Sequence, residues 1–179
     1  MSDTFDKILD SAERDVRLKG FHAVSFRDIA SELGIKSASV HYHFPKKEDL
    51  GLALIERYSN RVFDAMELAA DDAKTPEDYV DAMVGVYRSA LHESDRICLC
   101  GMLGAESAGL PATMADAVSA FFNKNVDWLS SRLPLDVSED LRTARAASIV
   151  SILQGSMMMA NSMGKHSFFD QAVSQVSAR

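Results

Sequence analysis

The chain has 179 residues, of which 47% are hydrophobic and 25% are charged. This composition is typical of one ordinary globular chain and excludes a disordered or fibrous protein. Its apolar runs are too short to cross a bilayer, and its first residues lack the basic and apolar stretches of a secretory signal, so we expect a cytoplasmic protein. Cys98 and Cys100 are too few for a disulfide framework, and the residue spacings predict no metal site and no cofactor.

The net charge of −7 at first argues against a nucleic-acid partner. The charge is unevenly spread, however, because residues 1–60 have a net charge of −1 and residues 61–179 one of −6. Between Gly34 and Lys47 there are three lysines, two histidines and no acidic residue. This segment predicts a locally basic surface on an acidic protein.

Apolar residues recur every three or four positions along the chain, and no segment alternates as a strand does. The pattern therefore predicts an all-α fold of about nine helices. We expect them over about residues 4–19, 26–33, 36–44, 47–66, 76–92, 96–108, 114–129, 138–163 and from 165 onwards.

Local signals set several of these helix ends. Ser25, with Asp28 three residues later, predicts a capped start for the second helix, and Gly34 predicts its end. Pro45 stops the third helix, and Thr75-Pro76 predicts the N-cap and first position of the fifth.

Two short helices separated by a glycine, the second basic at its start, predict a helix-turn-helix whose second helix enters the major groove of DNA. The residues that define the motif are Gly20–Ser25, Asp28–Ala30, Leu33–Ile35 and Val40–Leu50. In this detail the segment resembles the DNA-binding domain of the TetR (tetracycline-repressor) family. The resemblance covers roughly residues 5–55 and extends weakly to Leu153–Gly155, with a glycine that many family members have in their eighth helix.

The resemblance implies a three-helix DNA-binding domain over residues 1–46 and a helical ligand-binding and dimerisation domain over residues 47–179. It also implies a homodimeric repressor that a small, mostly apolar ligand releases from a palindromic double-stranded operator, although activation stays an alternative. Catalytic motifs such as HExxH, a phosphate loop or GxGxxG are missing, so we expect no enzyme. A helical binding dimer without DNA activity is the competing class.

By the same resemblance, Ser25, Tyr42 and Lys47 would contact phosphates. The residues expected to face the groove are Lys36, Ser37, Ala38, Ser39 and His41. The sequence departs from the family pattern in two ways that lower the expected affinity for DNA. His41 replaces the first residue of an aromatic pair found in many members, and no basic residue precedes Lys7. An imidazole titrates near neutrality, so we expect weaker or pH-sensitive affinity.

Three further features concern the remainder of the chain. Small residues spaced by three and four on the eighth helix predict a dimer interface at Ala144, Ser148, Ser151 and Gly155. An adaptable effector pocket is predicted from Met102, Phe121, Phe122, Trp128 and Met157, with ordinary core packing as the simpler alternative. Cys98, near Arg96 at a helix start, is a candidate thiol of an electrophile- or oxidant-sensing repressor, with a buried inert cysteine as its alternative.

Overall fold

The computed structural model describes residues 3–94 and 96–177, which contain nine α-helices and no strand. The predicted all-α class is confirmed. The helices are α1 (Asp3–Lys19), α2 (Phe26–Leu33), α3 (Ser37–His43), α4 (Lys47–Ala69), α5 (Pro76–Ser94), α6 (Leu99–Ala105), α7 (Ala112–Ser130), α8 (Glu139–Ser162) and α9 (Ser167–Ser177). A 3₁₀ turn, Ser107–Gly109, follows α6.

The first three helices form a small bundle, and the two connections between them each begin with a glycine in the left-handed region of backbone φ/ψ space. Gly20 (φ 83°) follows α1 and Gly34 (φ 65°) follows α2. Ile8 on α1, Ile29 on α2 and Val40 on α3 are each 0% exposed and belong to its core. Because the turn at Gly34 is short, α2 and α3 form the two arms of a helix-turn-helix.

The long helix α4 joins this bundle to the other helices, since it contacts α1 as well as α5 and α7. α8 packs between α7 and α9, and α6 lies against both α1 and α7. One buried apolar cluster extends through all these contacts. α4 begins at Lys47, but the division into domains of residues 1–46 and 47–179 stays a prediction. Residues 1, 2, 95, 178 and 179 of these domains lie outside the described part of the chain.

The sixth helix is shorter than expected. The prediction of residues 96–108 is wrong, because Cys98 has an extended backbone (φ −52°, ψ 134°) and α6 ends at Ala105. Glu106 leaves helical geometry (φ −97°, ψ 4°) before the 3₁₀ turn. The segment before α6 contacts α1, since the Arg17 side chain donates to the carbonyls of Ile97 (2.8 Å) and Arg96 (3.1 Å).

One face of α8 is buried in the chain and the other is exposed. Val150, Leu153 and Met157 point into the core, whereas Ile152 (40%) and Met159 (50%) are exposed. Across the described helices, none combines the length and apolarity that spanning a membrane requires.

Candidate DNA-binding surface

α3 presents a continuous polar face to solvent. Tyr42 is 83% exposed and Ser39 is half-buried. The other predicted contact residues on this face are also exposed: Lys36, Ser37, Ala38 and His41. Short side chains at the start of a helix let its backbone approach base edges closely, so the face has the shape that groove insertion needs.

The opposite side of α3 fixes its orientation. Val40 and Phe44 are buried, and the Phe44 ring stacks on the ring of Phe5 with centroids 5.1 Å apart. The Ile35 amide donates to the Ala30 carbonyl over 3.0 Å, which closes the turn before α3. The exposed face of α3 is therefore held rigidly against α1 and α2.

Ser25 caps α2 as expected: its Oγ accepts a hydrogen bond from the Asp28 amide (3.1 Å). The hydroxyl donates in turn to Asp28 Oδ2 over 2.7 Å. A phosphate is only an acceptor, so a phosphate contact at Ser25 would have to replace that second hydrogen bond.

Lys47 lies in the first turn of α4 and reaches back to the start of the motif. Its Nζ donates to the His22 carbonyl (3.2 Å) and lies 4.6 Å from the centre of the Phe21 ring. Burial lowers the pKa of Lys47, and the nearby Glu106 carboxylate opposes that shift. The Lys47 side chain therefore stabilises the turn between α1 and α2 in the absence of DNA.

The two histidines of α3 contact aromatic rings. The His41 ring packs edge-on against Phe26, with centroids 4.8 Å apart, and the His43 ring packs in the same way against Tyr42 (5.3 Å) and Phe5 (5.9 Å). His43 is half-buried whereas His41 is exposed. His41 is therefore the histidine better placed to meet DNA.

The contact residues predicted from the sequence do not include every exposed basic residue of this region, and Arg27 is one that they omit. Arg27 is exposed in the first turn of α2, two residues after the cap Ser25. A basic residue in the first turn of a helix is a suitable phosphate contact, and the position of Arg27 two residues after the cap Ser25 is the sequence signal that indicates it. Glu32, on the same helix, is neutralised by an ion pair with Arg14.

Comparisons with known proteins bear directly on this surface. The family model described as bacterial regulatory proteins, tetR family, matches residues 8–54. The crystal structure of a TetR transcriptional regulator from Legionella pneumophila superposes with a TM-score of 0.92 at 26% identity, covering 99% of this chain and 97% of that one. Residues 8–54 therefore form a TetR-family DNA-binding domain, and the whole chain has the fold of a TetR regulator. It is a TetR-like DNA-binding transcriptional regulator.

Two curated relatives are regulators as well. The HTH-type transcriptional regulator LmrA of Bacillus subtilis is 22% identical over 88% of this chain and 86% of its own length. The negative transcriptional regulator IcaR of the biofilm operon icaADBC, from Staphylococcus epidermidis, is 33% identical over 37% of this chain and 36% of its own. Both similarities agree with the regulatory assignment of this TetR-like chain.

The predicted effector pocket is assembled only in part. Phe121 and Met157 line a cavity of about 10 Å³ together with Tyr58, Tyr87 and Cys98. The remaining predicted residues, Met102, Phe122 and Trp128, do not line it. The Trp128 indole instead donates to Glu67 Oε1 (2.7 Å) at the surface of the bundle. In this TetR-like chain the cavity is nearly filled by its own core side chains.

Both thiols are closed off from solvent. Cys98 is 1% exposed and Cys100 is 0% exposed. The Cys98 amide donates to Met157 Sδ (3.1 Å), and burial raises the pKa of the Cys100 thiol. A sensing thiol needs access and thiolate character, so these surroundings favour an inert core role. The sensing role of Cys98 stays a prediction without support from its environment.

The residues predicted for the dimer interface lie together on the outer face of α8. Ala144, Ser148, Ser151 and Gly155 are all exposed. The Ser148 hydroxyl donates to the Ala144 carbonyl (2.9 Å) and the Ser151 hydroxyl to the Ala147 carbonyl (2.7 Å). With their hydroxyls turned onto their own helix, these serines present a smooth and weakly polar face. Exposed apolar side chains extend the face: Ile152, Met158, Met159 and Met163.

Proposed function

We propose that this protein is a dimeric repressor that binds a palindromic operator with two copies of α3. The observation that carries the proposal is the exposed polar face of α3, held by buried Val40 and Phe44 in a helix-turn-helix. Recognition helices of such dimers enter successive major grooves about 34 Å apart. The negative regulator IcaR, similar over 37% of this chain, supports repression over activation.

The outer face of α8 supports the dimer. Large apolar side chains are seldom clustered on a monomer surface, and Ile152, Met158 and Met159 lie beside a strip of small residues that lets a second helix approach. A two-fold axis along this face pairs each α8 with its copy. The proposal requires that dimerisation place the two α3 helices on one side of the molecule.

Release from the operator by a small molecule requires contacts that connect the C-terminal helices to the DNA-binding bundle. Glu106, just after α6, accepts a hydrogen bond from the Phe21 amide (2.7 Å) in the turn beside Lys47. Thr113 of α7 donates to Glu48 in the first turn of α4. A ligand that moves α6 or α7 would therefore disturb the segment that orients the DNA-binding helices.

Fluorescence anisotropy tests the proposal with the purified full chain, its own upstream intergenic DNA and a scrambled duplex, at two salt concentrations. We expect preference for the upstream DNA and affinity that falls steeply with salt, because phosphate contacts release counterions. Weak, equal binding to both duplexes, together with failure to enrich any sequence from random DNA, would favour the helical binding dimer without DNA activity.

A further inference from the structure

An open cleft of about 330 Å³ lies where α1, α4 and α5 meet. Small-molecule sites in proteins start near this size. One end of the cleft is polar, with Glu13 and Arg17 from α1 and Arg61 from α4, and its wall is apolar, with Val62 and Val86. The cleft thus pairs a charged end with an apolar body, and it differs from the pocket predicted from the sequence.

The polar end has an excess of positive charge. Glu13, only 6% exposed, accepts hydrogen bonds from Arg57 (3.0 Å) and Arg61 (3.3 Å), and Arg17 lies 3.7 Å away. Asp10 pairs with Arg57 over 2.8 Å. Within the lining of the cleft itself, the two guanidinium groups of Arg17 and Arg61 face the single carboxylate of Glu13, which favours the entry of an anion.

Arg61 is the guanidinium that an incoming ligand can reach. Its side chain is 52% exposed, compared with 8% for Arg17, and Arg57 does not line the cleft. Burial would lower the pKa of Arg61, but its hydrogen bond and charge interaction with Glu13 raise it on balance. A guanidinium has five N–H donors in a planar fork, so Arg61 can hold a second carboxylate beside Glu13 or exchange one for the other.

The apolar wall of the cleft continues towards the core. Tyr58, Val62, Val86 and Ala90 line both the cleft and the small cavity beneath it, where Met157 lies. Methionine side chains adapt easily to a new neighbour. The apolar part of a ligand in the cleft could therefore extend into the small cavity if the Met157 side chain moves.

We infer that the cleft binds a small amphipathic carboxylate, with its carboxylate group on Arg61 and its hydrocarbon body along Val62 and Val86. The ligand competes with Glu13 for Arg61, which loosens the contact between α1 and α4. α1 also holds α2, through hydrogen bonds from Ser11 and Arg14 to Glu32. The ligand therefore lowers operator affinity, and this regulatory step rests on the proposed function.

Isothermal titration calorimetry of the full chain, without DNA, tests the binding site. The probes are hexanoate and 3-phenylpropionate, each compared with its uncharged amide. The variants are Arg61→Gln, which removes the anion contact, and Ser89→Leu, which fills the cleft from an exposed position on α5. Arg57→Gln is the matched control, because Arg57 also pairs with Glu13 but lies outside the cleft.

We expect at least one carboxylate to bind the wild type and Arg57→Gln alike, and to bind about tenfold more weakly to Arg61→Gln and to Ser89→Leu. Neither amide should bind. Equal binding of acid and amide, unchanged binding to Arg61→Gln, or no heat from either acid would overturn the site.

A separate titration tests the regulatory step. Saturating the wild type with the carboxylate that binds should weaken operator affinity, and operator should weaken carboxylate affinity by the same factor, because the two effects are linked. Carboxylate binding with unchanged operator affinity overturns the regulatory step and leaves the proposed repressor standing. If the chain binds the carboxylate but binds no DNA sequence, the proposed repressor function is rejected and the proposed carboxylate site stands.

Discussion

At the scale of a single residue, Lys47 contacts Phe21 and the His22 carbonyl in the turn before α2 and is also a predicted phosphate contact. We predict that Lys47→Ala weakens binding to every DNA sequence to a similar extent. It should also reduce the slope of log affinity against log salt by about 1, as expected for one lost phosphate contact. Anisotropy titrations over a salt series measure both effects.

Lys124→Ala is the matched control for Lys47→Ala. Lys124 also stands over an aromatic ring, 3.9 Å from the centre of Phe63, but lies on α7 away from the helix-turn-helix. Its removal should leave both affinity and slope unchanged. An equal change in the two variants would show that overall charge, and not the position of Lys47, governs the binding.

His41 should behave differently from Lys47, because it lies on the exposed face of α3 that we propose to meet the bases. We predict that His41→Ala changes the order of preference among operator variants instead of weakening all of them alike. Competition binding against a panel of single-base operator substitutions measures this. A uniform loss across the panel would assign His41 to the DNA backbone.

At the scale of elements, the turn between α2 and α3 depends on the backbone of Gly34, which has a φ of 65° and open space where a methyl group would lie. We predict that Gly34→Ala lowers the free energy of unfolding by about 1 kcal/mol, because an L-residue is strained in the left-handed region. Gly85 in α5 is also uncrowded but has no such φ. Gly85→Ala should therefore stabilise by roughly 0.5–1 kcal/mol, and urea unfolding that gives both variants the same sign would contradict this reasoning.

The start of α5 supplies a pH prediction. The Asp78 carboxylate accepts hydrogen bonds from the amides of Lys74 (2.9 Å) and Thr75 (2.8 Å), and these bonds lower its pKa from the usual 3.8. A lowered pKa in the folded state means that stability is gained above the unfolded value and is lost as the pH falls through the folded one. Asp78→Asn should therefore be less stable near neutrality and approach the wild type in acid. A stability difference that is independent of pH would contradict this.

Helix ends could be predicted from the sequence where a local signal sets them. Ser25, Gly34 and Thr75-Pro76 mark boundaries that depend on caps within a few residues, and α2 spans the range expected for it. α6 has no comparable signal at its ends, and the segment before it contacts Arg17 of α1, which is 80 residues from Ile97 in the sequence. The hydrogen bond from the Phe21 amide to the Glu106 carboxylate, 85 residues apart, could not be predicted for the same reason.

The residues of the candidate site can also be divided into those that a local sequence signal predicts and those that depend on contacts between distant parts of the chain. The exposed face of α3 follows from a short motif, so its residues could be chosen from the sequence alone. The pocket residues were chosen by type, and only Phe121 and Met157 share a cavity, because the side on which each helix packs sets the lining. The cleft at Arg61 joins three helices, and nothing local in the sequence indicates it.

At the scale of the whole molecule, the proposed function requires two copies. Ser148 lies at the centre of the small-residue strip on α8, and Ser148→Arg would place a charged side chain between two closely packed helices. We predict that this variant is monomeric by size-exclusion chromatography with light scattering and loses operator binding. Ser119→Arg, at an exposed position of α7, is the control and should stay dimeric. A dimeric Ser148→Arg would place the interface elsewhere.

The central claim is that two α3 helices of one dimer read a two-fold symmetric operator. Hydroxyl-radical footprinting of the full chain on the DNA sequence that it selects from a random pool tests this most directly. We predict two protected half-sites related by two-fold symmetry, with centres about 34 Å apart along the helix axis. A single protected half-site, or uniform protection along the duplex, would contradict the claim.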